Sequence, residues 1–338
     1  MKKKCNITIL GAGSWGIALA QHMSQIGHRV IMWEFDQKAA TDLQISRRRE
    51  SVMPDVTLQP NILVTSDLQT AITGADLVFL VMPSHVTRSV IKRLSAYSDL
   101  KSSKIISCIK GIENDSLMRI SEILEYEIPD FPMKNYAVLS GPSHAEEVSR
   151  KIPTAVVIAS LNKRTARYVQ NALNNASFRL YTSNDIIGVE LGGALKNVIA
   201  IAAGICDGAG FGDNTKAALQ PRGLAEIARL GRKLGADPLT FMGLSGMGDL
   251  IVTCMSRHSR NRYVGEQIGK GKSLSEVLES MAMVAEGVKT CKSAFDLAKK
   301  HKVEMPICRQ VYDILFKGIS PADAVTALMQ REVKPEVW

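Results

Sequence analysis

The feature that most constrains the fold is a glycine-rich segment, GAGSWG at residues 11–16, which follows an apolar run near the start of the chain. Helical periodicity then continues to about residue 25. A strand, a glycine turn and a helix in this order are typical of the first unit of a dinucleotide-binding sheet. Gly11 permits the tight turn, Gly13 lets a pyrophosphate approach the backbone, and Gly16 lets the helix pack closely on the strand.

Short apolar runs alternate with helical patterns up to about residue 182, as in a parallel sheet with crossover helices. Several runs lack polar alternation, so we expect strands that are covered on both faces. The predicted strands span residues 5–10, 29–33, 77–82, 105–109, 136–139, 155–159 and 178–181. Only helical patterns follow. The sequence therefore predicts an α/β protein: an N-terminal doubly wound, Rossmann-type parallel sheet at 1–185 and an all-helical C-terminal domain at 186–338.

The 338 residues include 42 Lys and Arg against 33 Asp and Glu, which gives a formal net charge of +9. Such a surplus suits nucleic acid, an anionic membrane surface or a phosphorylated metabolite. Aromatic residues are only 5%, which argues against a protein that stacks on single-stranded bases. The apolar stretches around 77–82 and 198–206 fall short of the roughly 18 residues that span a bilayer. We therefore expect neither a nucleic-acid partner nor an integral membrane segment.

The six cysteines and six histidines are scattered without the spacing of a metal site, so no metal is expected. Unpaired thiols of this kind are typical of a reducing compartment. The basic start of the chain and the Ala18-Leu19-Ala20 segment imitate an export signal, but glycines interrupt the apolar run between them. These features predict a cytoplasmic protein.

The end of the second predicted strand bears on the choice of dinucleotide. Glu34, Phe35 and Asp36 lie where an acidic side chain would accept a hydrogen bond from the 2′-hydroxyl of NAD. An arginine there would favour the 2′-phosphate of NADP. We expect the three arginines at 47–49 to form a solvated face of the next helix. The choice between NAD and NADP stays open.

Lys196 lies in the middle of a predicted helix at 185–206 that is apolar almost all round. A buried ammonium is costly unless it is paired or used. Residues at four-residue steps from it are small, which leaves room for a ligand or for a second helix: Gly188, Gly192, Ala200 and Gly204. The alternatives are a lysine that faces a cofactor cleft, which we favour, and one that extends to the surface.

Four further segments of the chain contain candidates for ligand contacts. Lys110 follows a predicted strand at its carboxyl end, where open α/β sheets bind ligands. Gly141 and Ser143 follow the next strand, with Ser143 expected near a helix N-cap. The basic stretch 256–262 precedes a helix and could bind an anion, and Asp249 could hold a lysine charged. An exposed lysine, an ordinary cap and a basic turn are the structural alternatives.

Several longer motifs carry a family resemblance: PSH at 83–85, IKG at 109–111, SGPS at 140–143, GVELGGALKN at 188–197, SRNR at 259–262 and VAEG at 284–287. With the glycine segment, they make the chain similar to bacterial NAD(P)-dependent sn-glycerol-3-phosphate dehydrogenases over about residues 5–330. The resemblance implies reversible reduction of dihydroxyacetone phosphate to sn-glycerol 3-phosphate for phospholipid synthesis, by a cytoplasmic homodimer that uses NAD or NADP. It also implies that Lys196 is the general acid/base.

The resemblance also implies which residues contact each ligand. Beyond the three glycines, those for the dinucleotide are Ser14, Trp15, Phe35, Lys110, Ala145, Arg260, Val284 and Glu286. Those for the substrate are Lys110, Gly141, Ser143, Lys196, Asp249, Ser259, Arg260 and Asn261. Two positions depart from the family pattern. Phe35 stands where members often carry an arginine, and Gln220-Pro221 replaces an aliphatic–threonine pair, which leaves the local helix geometry open.

Two other classes of function are compatible with the same residues. One is another lysine-dependent hydroxy-acid dehydrogenase of the ketopantoate or 6-phosphogluconate type, whose anionic substrate would need a similar arginine. The other is a binding protein without catalysis, specific for a dinucleotide or a nucleic acid, in which a buried lysine would have no purpose. The residues do not determine kinetic direction, feedback regulation or oligomeric state.

Overall fold

The structure is a computed structural model and describes residues 4–281, 284–333 and 335–336. One sheet of eight strands dominates the N-terminal half, and its strands are β1 (Asn6–Leu10), β2 (Arg29–Trp33), β3 (Leu63–Thr65), β4 (Leu77–Leu80), β5 (Lys104–Ser107), β6 (Tyr136–Ser140), β7 (Thr154–Ala159) and β8 (Phe178–Ser183). Their order across the sheet is β3-β2-β1-β4-β5-β6-β7-β8. The chain thus builds outward from β1 in both directions, which is the doubly wound arrangement that the sequence predicts.

Helices cover both faces of this sheet, namely α1 (Ser14–Gln25), α2 (Gln37–Ser46), α3 (Leu68–Ile72), α4 (Ser84–Leu94), α5 (Ile120–Glu127), α6 (Ala145–Ser149) and α7 (Lys163–Leu173), with short 3₁₀ turns at Ser98–Lys101 and Met133–Asn135. β4 shows why its sequence has no polar alternation. Leu77 and Phe79 belong to one apolar core and Val78 and Leu80 to another, on opposite faces of the strand. Both faces of the strand are therefore buried, as predicted.

Two details of the sheet differ from the sequence-based expectation. β6 and β7 are antiparallel, whereas the other neighbouring strands are parallel. The reason is the short connection, because residues 141–153 contain only the one-turn-plus helix α6 and not a helix long enough to cross the sheet. β3 was not predicted, since three residues at an edge give too short a pattern to identify.

The rest of the chain is helical. It contains α8 (Ile186–Ala209), α9 (Gly212–Lys233), α10 (Pro238–Phe241), a π-helical turn (Leu244–Gly248), α11 (Asp249–Met255), α12 (Arg260–Gly269), α13 (Leu274–Glu279), α14 (Glu286–His301), α15 (Pro306–Lys317) and α16 (Pro321–Met329). Within the described residues no strand follows Ser183. The change from sheet to helices thus falls at the residues where we placed the domain boundary, and the division into two domains stays a prediction.

α8 is the central helix of this half, and nearly all of its residues are buried. By length and composition it could cross a membrane, contrary to our estimate from the shorter apolar runs, but 94% of its apolar window is buried inside the protein. A second stretch, Pro238–Met255, passes the same test and is 39% buried. Burial of α8 within the fold accounts for its apolar composition.

The small residues of α8 are used for close helix packing. A Cβ on Gly204 would collide with the carbonyl of Arg262 in α12, and one on Gly265 would collide with the carbonyl of Ile201 in α8. Gly192 lies against the carbonyl of Ser245 in the π-helical turn. The sequence left open whether this face makes room for a ligand or for another helix. At these glycines the structure shows close approach of a neighbouring backbone.

α9 runs without interruption from Gly212 to Lys233 although Pro221 lies inside it. Proline removes one backbone hydrogen bond from a helix interior and usually kinks or breaks the helix. The unusual Gln220-Pro221 pair therefore does not end the helix here.

Candidate active site

The glycine segment forms an open cradle at the carboxyl end of β1. Gly11 has φ +119°, and a Cβ there would collide with the carbonyl of Val81, so only glycine fits. Gly16 similarly leaves space for the carbonyl of Gly11. Gly13, by contrast, would meet nothing within 4 Å of a Cβ, and α1 begins directly after it at Ser14. This exposed backbone and the free N–H groups of α1 fit the pyrophosphate of a dinucleotide.

The acidic residues after β2 have different environments. Asp36 caps α2 and accepts a hydrogen bond from the backbone N–H of Ala39, so its carboxylate is already used. Phe35 is 72% exposed and packs edge-on against Trp33. Glu34 is partly buried and forms an ion pair with Arg49, with 2.6 Å between Oε2 and Nη1. Glu34 directly follows β2, and contact of either acid with a ribose stays a prediction.

The arginines at 47–49 do not form the solvated face that we expected. Arg47 ends α2 with φ +60° and donates hydrogen bonds to the carbonyls of Gln59 and Ile62. Arg49 donates to the carbonyl of Ala12 in the glycine cradle, with a distance of 2.9 Å. Only Arg48 is exposed. The left-handed turn at Arg47 sends the chain back toward the sheet, which a helical pattern does not reveal.

Lys196 is at the centre of a buried cluster. Its Nζ lies 2.7 Å from Oδ1 of Asp249 and donates to Oγ1 of Thr253 at 2.6 Å. The other carboxylate oxygen of Asp249 lies 2.7 Å from Nζ of Lys110. Thr253 donates its own hydroxyl to the carbonyl of Asp249. Two lysines from different parts of the chain thus share one buried carboxylate, which holds both in place.

The charges in this cluster alter its proton affinities. Burial lowers the pKa of Lys196 to about 8, although the adjacent Asp249 carboxylate acts in the opposite direction. Burial acts to raise the pKa of Asp249, but Lys110 and Lys196 outweigh it and hold that pKa below its usual value. A lysine with a pKa close to neutrality can both donate and accept a proton, so Lys196 suits general acid/base chemistry.

The turn after β6 brings its backbone to the same cluster. Lys110 donates to the carbonyl of Gly141, whose φ of +142° and contact with Val156 leave no room for a side chain. Ser143 also donates to the carbonyl of Gly141 and directly precedes the N-cap of α6, so it lies near the cap as expected. The cap of α6 is His144, and Ala145 is the first residue of the helix and buried.

The N-terminus of α12 is tied to α8 by amide hydrogen bonds. Asn261 donates to Oδ1 of Asn197 at 2.9 Å and accepts from the N–H of Gly287 at 2.8 Å. Asn197 in turn donates to the backbone carbonyl of Lys110. Ser259 caps α12 by accepting from the N–H of Arg262. This chain of bonds fixes the start of α12 relative to Lys196.

Glu286 connects the helical half to the sheet. Its carboxylate accepts hydrogen bonds from the backbone N–H and the hydroxyl of Ser84 at 3.2 and 2.6 Å. A Cβ on Gly111 would approach both side chains, which explains the glycine after Lys110. Since Ser84 follows the strand whose end contacts Gly11, the cradle and the lysine cluster lie on one continuous edge.

The predicted site residues therefore fall into three groups. Lys110, Gly141, Lys196 and Asp249 are in mutual contact, with Ser143 on the Gly141 carbonyl. Arg260 donates to the carbonyl of Val284, and Ser259 and Asn261 flank it at the start of α12. The cradle residues and Phe35 lie at the carboxyl ends of β1 and β2, and the Trp15 ring contacts Phe178 of β8. Their individual roles stay predictions.

Sequence reasoning missed two members of the cluster. Thr253 lies one helical turn after Asp249, a spacing that could have identified it. His144 has a buried Nε2 for which the described residues supply no hydrogen-bond partner, and its ring centre lies 5.8 Å from that of His258. Burial, with the positive charges of Lys196 and Lys110, lowers the pKa of His144. Nothing in the spacing of His144 indicates that it faces two lysines.

Metal chemistry has no visible basis in the described part of the chain, where no three His, Cys, Asp or Glu side chains are grouped as metal ligands. All six cysteines are buried free thiols. The expectation of no metal rests on spacing and stays a prediction.

A dinucleotide cradle that runs along one edge to a buried, ion-paired lysine is the arrangement of a nicotinamide-dependent dehydrogenase. Comparison with known proteins narrows this class. Family models described as the N-terminus and the C-terminus of NAD-dependent glycerol-3-phosphate dehydrogenase match residues 6–166 and 185–326. The chain belongs to this family.

Individual relatives are similar over almost their whole length. A glycerol-3-phosphate dehydrogenase [NAD(P)+] of Thermoanaerobacter sp. (strain X514) is 50% identical over 331 residues, which are 98% of each chain. One of Bacillus pumilus is 50% identical over 98% of this chain and 95% of its own length. The crystal structure of glycerol-3-phosphate dehydrogenase from Coxiella burnetii is 35% identical, with a TM-score of 0.92, covering 97% of this chain and 99% of that one.

Proposed function

We propose that the protein catalyses the reversible, NAD(P)-dependent reduction of dihydroxyacetone phosphate to sn-glycerol 3-phosphate. The observation that carries this proposal is the buried pairing of Lys196 with Asp249 beside the dinucleotide cradle. The similarity to glycerol-3-phosphate dehydrogenases over nearly the whole chain supports the choice of substrate. The rival hydroxy-acid dehydrogenases have no comparable support.

In this mechanism Lys196 holds and moves the proton. The nicotinamide ring, when bound, supplies a hydride with its electron pair to the ketone carbon. Lys196 donates a proton from Nζ to the ketone oxygen as negative charge develops there, and it takes that proton back in the oxidative direction. A pKa of about 8 leaves Lys196 mostly charged at neutral pH, so it is ready to act as the acid.

Asp249 and Lys110 position Lys196 and complete the charge balance. Asp249 favours the ionised form of Lys196 and so opposes the lowering of its pKa by burial. Thr253 and Asp249 together fix the direction of the Nζ–H bonds. Lys110, anchored on Asp249 and Gly141, adds a second positive charge near the forming alkoxide. Fixed charges in a water-poor site are an effective source of transition-state stabilisation.

We assign the phosphate of the substrate to the start of α12. The first N–H groups of this ten-residue helix have no partners within the helix, and they carry a partial positive charge. Arg260 adds a guanidinium there, and Asn261 keeps one amide N–H that the bonds described above do not use. Binding energy at the phosphate would hold the ketone in line with Lys196.

The test is a substrate comparison with purified protein. Oxidation of NADH and of NADPH is followed by absorbance with dihydroxyacetone phosphate, ketopantoate and other 2-keto acids, and the reverse reaction with sn-glycerol 3-phosphate and 6-phosphogluconate. We expect turnover only with dihydroxyacetone phosphate and, in the reverse direction, sn-glycerol 3-phosphate. Turnover with a keto acid or 6-phosphogluconate at a comparable kcat/KM would contradict the substrate assignment.

A cytoplasmic homodimer that provides glycerol phosphate for phospholipid synthesis is the physiological setting we propose. It is supported by the family resemblance and by the six free thiols, which suit a reducing compartment. Light scattering of the purified protein tests the dimer, and fractionation of cells tests the location. A monomer, or a membrane-bound fraction, would contradict these points without affecting the assigned reaction.

A further inference from the structure

The ion pair between Glu34 and Arg49 lies at one end of the dinucleotide cradle and has no role in the mechanism above. Nη1 of Arg49 is 2.6 Å from Oε2 of Glu34 and 2.9 Å from the carbonyl oxygen of Ala12. The side chains are 28% and 15% exposed. The pair therefore sits at the rim of the cradle, where a ligand can reach it.

The position of Glu34 is fixed by the sheet. Its backbone N–H donates to the carbonyl of Thr65, and the N–H of Gly11 donates to the carbonyl of Trp33. Glu34 is thus the first residue after β2, beside the glycine turn. In this fold that position faces the adenosine ribose, whose 2′-oxygen distinguishes NAD from NADP.

The guanidinium of Arg49 has an unused edge. Both of its contacts go through Nη1, and in the described part of the chain neither Nε nor Nη2 has a hydrogen-bond partner. Nε and Nη2 together form the planar fork that binds two oxygens of one phosphate. Arg49 can therefore bind a phosphate without releasing the carbonyl of Ala12.

We propose that Glu34 and Arg49 form a two-way selector that lets the protein use both dinucleotides. Glu34 accepts a hydrogen bond from the 2′-hydroxyl of NAD, and Arg49 binds the 2′-phosphate of NADP through its free edge. Glu34 weakens the binding that Arg49 favours, since its carboxylate repels the phosphate and also neutralises Arg49. This inference rests on the proposed function only in requiring that the cradle bind a dinucleotide.

Two other arginines near the cradle provide comparisons. Arg48 is adjacent in sequence and exposed, and its Nε donates to Oγ1 of Thr57. The guanidinium of Arg93 lies 5.3 Å from the ring centre of Trp33 and 5.7 Å from that of Phe35. Arg93 is therefore committed to stacking on aromatic rings, whereas Arg49 presents its edge to the ribose position.

The experiment measures dinucleotide binding directly, without substrate. Dissociation constants of NAD⁺ and NADP⁺ are determined by calorimetry for the wild type, Arg49→Gln, Glu34→Gln and the controls Arg48→Gln and Arg93→Gln. We expect Arg49→Gln to weaken NADP⁺ by about tenfold or more while NAD⁺ changes by less than about threefold. Glu34→Gln should weaken NAD⁺ and tighten NADP⁺, and Arg48→Gln should leave the ratio within about twofold.

Because Arg49 also holds Ala12, Arg49→Lys is a second variant that keeps the charge and N–H donors but loses the planar fork. It should weaken NADP⁺ more than NAD⁺, and unchanged thermal unfolding shows that the fold is intact. Equal losses for both dinucleotides in the two Arg49 variants would overturn the selector. A larger loss of NADP⁺ in Arg48→Gln or Arg93→Gln would overturn it as well. If the wild type binds neither dinucleotide, the proposed function itself fails.

Discussion

Two ion pairs of nearly the same length lie at opposite ends of the proposed dinucleotide edge, and they differ in burial. Lys196 and Asp249 are 2.7 Å apart with side chains 6% and 2% exposed, whereas Arg49 and Glu34 are 2.6 Å apart with side chains 28% and 15% exposed. Burial lowers the pKa of Lys196 in the first pair to about 8, although the Asp249 carboxylate acts to raise it. Distance alone therefore says little about what an ion pair does.

The difference follows from solvation. Water screens the pair at the rim, so its partners can exchange a protein contact for a ligand contact at little cost. In the buried pair each charge has lost its water, and removal of one partner leaves the other uncompensated. The buried pair thus suits chemistry that needs fixed charges, and the rim pair suits recognition of alternative ligands. Four predictions test this contrast.

The largest expected effect is loss of turnover in Lys196→Ala. Without the proton donor and its positive charge, kcat should fall by about 10³-fold or more. Dinucleotide binding should change by less than about threefold, because Lys196 lies beyond the cradle. Stopped-flow kinetics measures the loss of turnover, and calorimetry measures the dissociation constant of the dinucleotide. Lys216→Ala is the matched control, since Lys216 pairs with Asp207 at 2.6 Å but is 22% exposed. Near-normal turnover in purified Lys196→Ala would remove Lys196 from the mechanism.

Asp249→Asn should destabilise the protein, because it leaves two lysines facing each other without a buried counter-charge. We expect the free energy of unfolding to fall by about 3–5 kcal/mol, measured by urea denaturation. Activity should fall as well, since Lys196 loses its orientation. A change below about 1 kcal/mol would show that the pair is as well solvated as the one at the rim.

The pH dependence of the reaction should report the pKa of Lys196. Reduction needs the ammonium, so its kcat/KM should fall as the pH rises through about 8. Oxidation needs the free amine, so its kcat/KM should rise through the same pH. Because Asp249 raises the pKa of Lys196, Asp249→Asn should move both the fall and the rise of kcat/KM to lower pH. A shift of these two transitions to higher pH would contradict the predicted direction.

The smallest expected effect concerns the rim pair. Glu34→Gln and Arg49→Gln should each change the free energy of unfolding by less than about 1 kcal/mol. Their dinucleotide preferences should nevertheless shift as described above. Urea denaturation of the two variants beside Asp249→Asn compares the pairs directly. Losses comparable to that of Asp249→Asn would mean that the rim pair is structural.

Local patterns in the sequence were enough to predict the glycine turn, the fully covered strands and the burial of Lys196. Each depends on residues close in sequence, such as the apolar surface around Lys196. The predicted parallel direction of β7 was wrong, because strand direction depends on the path of the chain after Gly141. The environment of Arg49 was also wrong, because one left-handed residue at Arg47 redirects the chain.

Asp249 also shows a limit of prediction from local sequence. Its residue type and glycine-rich context indicate a charged partner, but the lysines it binds lie 53 and 139 residues earlier in the chain. Only the tertiary fold brings Lys110, Lys196 and Asp249 to one point. Thr253, by contrast, is within one turn of Asp249 and follows from helical spacing.

The glycine contacts between α8 and α12 have a consequence for substrate choice. At Gly204 and Gly265 the two helices touch backbone to backbone, so no side chain there can rotate to change their separation. Under the proposed roles, Lys196 on one helix meets the ketone and the start of the other meets the phosphate. The two helices then fix the distance between Lys196 and the phosphate position. A ketone with one more carbon before its phosphate would place its oxygen out of register with Lys196, and no side-chain adjustment at these contacts could accommodate it.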